Sequence, residues 1–206
     1  MARPKNQGAR RLELVQAAKQ AIAERGLTGL RAVDVAARTK LSPGTVAYYY
    51  PDLEELVQEV HRDAVSRFYW SRLSEIRSGD DPRAKLRRMI RSGIPVSRDD
   101  IDFQVLNELH THAFRDEYHG RLMARLFEQE VSLYASVLDE GDRLGQFEPR
   151  LPIAAAASNL VALEDAYGLH YLGGTPLSTA EIFELIVSGA EAMIGCSLAE
   201  ETVSDA

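Results

Sequence analysis

The 206-residue chain is 45% hydrophobic and 27% charged, too apolar for a disordered polypeptide and long enough to bury a core. Its apolar runs are too short to span a bilayer. Residues 1–12 lack the apolar core of a secretory signal. Its single cysteine, Cys196, excludes an intrachain disulfide and a multi-cysteine zinc site. A reducing, cytoplasmic setting is expected. The net charge of −7 is unevenly spread: residues 1–50 carry nine Lys/Arg against three Asp/Glu, giving +6, and residues 51–206 carry −13. A basic head on an acidic body suits a polyanion at the head alone, although a solvated basic arm would have the same composition.

The periodicity is helical throughout, with no strand-like alternation. Leu14, Ala18, Ala21 and Ile22 form the stripe of a first helix that Gly26 ends. Ala32, Val35 and Ala36 make a short second helix. Ser42 is a candidate N-cap for a third, with Pro43 at its first position. Asp52 and Glu55 resemble a capping box opening a long fourth helix. Its stripe runs through Leu53, Leu56, Val57, Val60, Ala64 and Phe68, and it closes at Ser78-Gly79-Asp80-Asp81-Pro82. Further helices are expected at 82–92, 99–113, 116–140 (ending before Gly141) and 152–172. A capping box of Ser178 and Glu181 opens a last one. The fold class is all-α: a head at 1–51 and a body at 52–206 that begins with the fourth helix.

Arg31 to Tyr50, RAVDVAARTKLSPGTVAYYY, has the dimensions of a helix-turn-helix. Such a unit suits DNA because its second helix fits the roughly 12 Å major groove with its N-terminal residues at base edges. Gly44 lets backbone approach, Ser42 and Pro43 open the helix, and Thr45 and Tyr48 can hydrogen-bond. Tyr48 and Tyr49 serve equally as DNA contacts or packing groups; Tyr50 is expected in the core. Arg10 and Arg11 are either solvated or on phosphate.

At these residues the sequence resembles the TetR family of bacterial regulators. Gly26, Val35-Ala36, Leu41-Ser42, Gly44-Thr45, Tyr48-Tyr49-Tyr50 and Leu53-Glu54-Glu55-Leu56 match its signature in order and spacing. The resemblance covers residues 9–60; beyond them only the all-helical layout matches. It implies a three-helix DNA-binding domain joined by the long fourth helix to a helical ligand-binding and dimerisation domain. DNA-binding residues are then Arg31, Lys40, Ser42, Pro43, Gly44, Thr45, Tyr48 and Tyr49. There are departures. Lys40 replaces the turn glycine and should adopt a left-handed conformation at a cost of roughly 1 kcal/mol or more, unless the turn is displaced by one residue. Arg31 replaces the usual Thr/Ser, Ala47 an aromatic, and Leu53 a lysine that would contact the DNA backbone.

The resemblance implies a homodimer through the last two helices, and the sequence supports it. Ala154 to Ala157 permit close helix approach, while Ile182, Leu185, Ile186, Gly189 and Met193 form a seam, for a partner or for the same chain. Phe103, Asn107, Glu108, His110, Phe114, Tyr134, Glu164 and Tyr167 are candidate ligand contacts; aromatics with carboxylates suit an organic cation. The alternative is core aromatics and surface acids. An inward carboxylate there should await a partner.

His112, Asp116 and His119 fall at i, i+4 and i+7, a metal-like spacing, but a helix break near Arg115-Asp116 argues against three ligands on one face. No metal, cofactor or catalytic residue is expected, because no nucleophile has a partnered base. The partners implied are an operator in double-stranded DNA, a small-molecule effector and a second copy of the chain, with no membrane. A helical metal-binding protein or enzyme with a structural N-terminal unit is the alternative.

Overall fold

The computed structural model describes residues 4–76 and 81–199. They form only helices: α1 (Pro4–Arg25), α2 (Ala32–Ala36), α3 (Pro43–Tyr49), α4 (Leu53–Ile76), α5 (Pro82–Ser92), α6 (Ile101–Ala113), α7 (Glu117–Arg143), α8 (Ile153–Leu172) and α9 (Thr179–Ile194). The all-α expectation holds for these residues, none of whose helices is long and apolar enough to cross a membrane. Two compact units share them. The first holds the described residues up to Phe68 together with Asp99–Leu126; the second holds Tyr69–Arg98 and the described residues from Phe127 onward. The breaker residues 78–80 lie outside the described residues.

In the first unit the α1 stripe is buried as its spacing requires: Leu14, Ala18, Ala21 and Ile22 have no exposed surface. Gly26 takes a left-handed φ of 78° and its N–H returns to the Ile22 carbonyl at 2.8 Å, a helix stop that a side chain would resist. The α2–α3 turn forms differently from expectation. No described non-glycine residue has a positive φ, so Lys40 is not left-handed. The Thr39 hydroxyl makes the turn instead, donating to the Ala36 carbonyl and accepting from Leu41 N–H at 3.0 Å. A threonine side chain here replaces the conformational freedom that a glycine would supply.

In the second unit α9 packs on α8 and α5, and its Ser178–Glu181 capping box is present. The expected α9 seam divides. Ile182 and Ile186 are buried in the chain's own core, whereas Leu185 is 44% exposed. Helix α7 passes through Gly141 instead of ending before it. A Cβ there would lie 2.1 Å from the Phe147 ring, so the glycine answers to a close contact and not to a helix stop. The stop is Gly145, at φ 68°.

A charged cluster lies inside this unit. Arg72 is fully buried and donates from Nη2 to Glu164 at 2.9 Å, with Glu130 3.4 Å from its Nε. The Tyr134 hydroxyl donates to the other oxygen of Glu164. Gly93 packs so closely here that a Cβ would come within 2.1 Å of Glu164 and Arg72. One guanidinium cannot neutralise two carboxylates. Burial therefore pushes Glu130 up to about 8 and Glu164 to about 7, against the pull of Arg72.

An acid raised in this way is protonated in the folded protein and ionised when unfolded. Its stabilisation is complete below the ordinary glutamate range and is lost as pH rises through the folded value. Glu130→Gln, which imitates the protonated acid, should match the parent near about pH 4.5. It should exceed it by on the order of 1–3 kcal/mol near about pH 9, measured by urea unfolding. A difference that does not change with pH would contradict this protonation state.

Candidate DNA-binding surface

The short α2 and α3 are held by Val35, Ala36, Val46 and Tyr50, all buried. Tyr50 does most of the anchoring. Its hydroxyl donates to Glu59 on α4 at 2.6 Å, and the Arg11 guanidinium of α1 lies 4.5 Å from its ring centroid while also donating to Glu59. Burial raises Glu59, but the bonds from Arg11 and Tyr50 outweigh it and hold the carboxylate below its ordinary range. The expectation that Tyr50 is core is met. Arg10 and Arg11 both engage carboxylates of their own chain, Glu13 and Glu59.

Packing this side of α3 inward leaves the opposite side outside. Ser42, Pro43, Gly44 and Lys40 are exposed, and Tyr48 is 75% exposed. Ser42 Oγ accepts from Thr45 N–H at 3.1 Å, and the two hydroxyls are 2.9 Å apart, so the predicted cap is present and orients Thr45. A Cβ on Gly44 would meet only Ser42 Oγ, at 3.7 Å, so nothing within the chain demands glycine there. Tyr49 is half-buried and meets Tyr48 edge-on, with centroids 5.4 Å apart.

Arg31 caps α2 through its backbone. Asp34 Oδ2 accepts from Arg31 N–H at 3.0 Å and from its Nε at 3.3 Å, and Arg25 donates to Oδ1 at 3.1 Å. The Arg31 bond holds the Asp34 carboxyl below its usual range. Most of the Arg31 side chain remains exposed.

The candidate ligand contacts fall in both units. Within the first, Phe103 meets Phe68 edge-on, Asn107 is half-buried, and His110 lies edge-on to Phe114, itself 76% exposed. Glu108 accepts from Leu27 N–H at 3.0 Å, completing the end of α1. Within the second, Tyr134 and Glu164 meet in the buried cluster and Tyr167 packs beside the core. Glu164, expected to await a partner, has Arg72 and Tyr134. Arg72 and Glu130 were missed, although each continues an apolar stripe: Phe68 plus four, and Leu126 plus four. A charge on a buried stripe is the signal that would have found them.

Residues 14–60 match the family model of bacterial regulatory proteins, tetR family. The HTH-type transcriptional regulator BetI of Burkholderia mallei is 31% identical over 183 residues, covering 85% of this chain and 89% of that protein. A transcriptional regulator from Saccharomonospora viridis, solved in complex with choline, superposes with a TM-score of 0.84 at 21% identity over 91% of this chain and 98% of its own. A TetR-family regulator from Rhodococcus sp. gives 0.77 at 25% identity, over 90% and 98%. With an exposed helix-turn-helix inside the matched segment and a relative aligned along most of its length, the chain belongs to the TetR family of bacterial regulatory proteins and is a DNA-binding transcription regulator, not an enzyme.

Proposed function

We propose that the chain is a cytoplasmic homodimeric repressor. It binds a palindromic operator through Arg31, Lys40, Ser42, Pro43, Gly44, Thr45, Tyr48 and Tyr49, and a small organic cation releases it. The observation that carries this reading is the outward face of α3: Ser42, Pro43, Gly44 and Tyr48 exposed beside Lys40, on a helix anchored from behind by Val46 and Tyr50. A dimer presents two such helices to successive major grooves about 34–36 Å apart. Occupying a promoter excludes its transcription machinery. An effector that binds the non-operator conformation more tightly shifts the population away from DNA.

The dimer reading draws on α8 and α9, where Leu169 is 59% and Leu185 44% exposed and Ala162 and Ala166 are exposed small residues. The cation reading draws on the choline bound by the S. viridis regulator. It also draws on the excess of carboxylate over guanidinium around Tyr134, Glu164 and Glu130. Tyr167, beside the same core, supplies a further contact in this proposal, while Glu108 in the first unit already serves the end of α1.

Three outcomes follow. Lys40→Ala should weaken binding to promoter fragments from the chain's own and neighbouring genes and lower the log–log salt slope by about one. An unchanged slope in a gel-shift titration removes Lys40 from the interface. Leu185→Glu should convert dimer to monomer in sedimentation velocity while leaving the fold intact, since Leu185 is partly exposed; Ile186, fully buried, would unfold the chain instead. A Leu185→Glu dimer would place the interface elsewhere. Choline should raise the melting temperature and release operator, and Glu164→Gln or Tyr134→Phe should abolish both effects. If organic acids alone act, the cation reading fails and the regulator reading stands.

A further inference from the structure

Besides the DNA-facing surface, the first unit contains a convergence of imidazoles from three helices. His61 lies on α4, His112 in the last turn of α6 and His119 in the first turn of α7, with Glu54 in the first turn of α4. His61 and His119 are completely buried, their rings stacked at 4.9 Å between centroids and 12° between planes. The His112 ring stands edge-on to His119 at 4.8 Å. The helix break expected near Arg115-Asp116 is present, and Asp116 caps α7 by accepting from His119 N–H at 3.0 Å. Asp116 is thus a capping group, and a carboxylate from a different helix, Glu54, takes the place beside the histidines.

We propose that Glu54, His112 and His119 form a binding site for a divalent ion of the zinc class, with His61 and Met123 behind His119 as orienting groups. One donor atom from each of the three ligands lies within 4.8 Å of the others. Ligand atoms on a tetrahedral sphere of 2.0–2.1 Å radius are about 3.4 Å apart, so the widest pair must close by about 1.4 Å and the Glu54–His119 pair, at 2.8 Å, must open by about 0.6 Å. Glu54, half-exposed on a flexible stem, can supply that movement.

The hydrogen bonds around His119 allow it to offer a ring nitrogen to an ion. Its Nε2 is 2.8 Å from a Glu54 oxygen, and its Nδ1 is 2.7 Å from His61 Nδ1. The other nitrogen of His61, Nε2, faces the Met123 sulfur at 3.2 Å. Without an ion, neutral rings close both contacts: His61 Nδ1–H donates to His119, His119 Nε2–H donates to Glu54, and the weakly accepting sulfur needs no proton. With an ion on His119 Nε2 the row shifts the other way. His119 Nδ1–H then donates to His61, whose Nε2–H points at the sulfur, and the proton displaced from Nε2 leaves to solvent. Every group keeps a partner in the loaded arrangement.

Two imidazoles and one carboxylate select zinc, cobalt or nickel over magnesium and calcium, which take oxygen ligands. In that arrangement His119 Nδ1–H donating to His61 orients the ring, the role that a carboxylate or carbonyl commonly has for a metal-bound histidine. The ion would tie the first turn of α4, which starts at Leu53 shortly after α3 ends at Tyr49, to the α6–α7 turn. Occupancy therefore restrains the segment that leaves the DNA-reading helix.

The test uses the full chain, treated with chelator and dialysed, titrated with cobalt(II) by absorbance and with zinc by calorimetry. The expected result is one ion per chain, ligand-field bands of a four- or five-coordinate site, and a raised melting temperature. Glu54→Gln and His112→Ala, both at half-exposed positions that should fold normally by circular dichroism, should each weaken binding at least about tenfold. His61→Gln should weaken it by about 10–100-fold while leaving the three ligands in place. Failure to bind one ion per chain overturns the proposal. Equal binding by the parent, Glu54→Gln and His112→Ala would mean an adventitious surface ion and overturns it as well.

Discussion

The junction of Arg11, Tyr50 and Glu59 is the constraint on which the proposed DNA-binding surface depends. It brings α1, the end of α3 and α4 to one point through a buried ring, a phenolic bond and a guanidinium shared between ring and carboxylate. A hydrogen bond to a charged group contributes about 1.5–3 kcal/mol, a large fraction of a small domain's stability. Its geometric consequence matters more. Two residues along a helix is a rotation of about 200°, so fixing Tyr50 and Val46 inward turns Tyr48 outward. Gly44, two residues before Val46, turns outward by the same rotation, and Ser42 is exposed as the extended residue that caps the helix. The surface proposed to meet DNA is what the core leaves over.

Where the sequence was informative, the signal was local. The Gly26 stop, the Ser42 cap with Pro43 and the Ser178–Glu181 box each depend on residues within four positions of one another, and all are present. What escaped was set by contacts across the chain. Gly141 reads as a helix end, yet it is a gap for the Phe147 ring. Lys40 reads as a strained turn residue, yet the Thr39 hydroxyl carries the turn. The α9 stripe reads as one seam, yet Ile186 serves its own core while Leu185 faces outward. Glu54 and His61 could not be joined to His112 and His119 because nothing local links α4 to the α6–α7 turn.

The charges on buried stripes belong to a middle category. Arg72 and Glu130 each interrupt an apolar period, and a charge at such a position is tolerable only with partners from other elements. The pattern could have announced that a buried ionic cluster exists, though not that Glu164 and Tyr134 complete it. With two carboxylates against one guanidinium, the cluster holds a proton that a bound cation could replace. The imidazole row of the first unit can likewise exchange a proton, the one between His119 and Glu54, for a bound cation.

The central claim, that α3 reads DNA with the face left exposed by the Tyr50 junction, is tested most directly by selecting bound sequences from a random duplex library. The parent chain and Thr45→Ala would be run in parallel. Thr45 is held by Ser42 at the start of α3, so the account predicts a pseudo-palindrome for the parent and a changed preference at matching positions in both half-sites for the variant. Enrichment of the same sequence by both chains, or no enrichment by the parent, would contradict it.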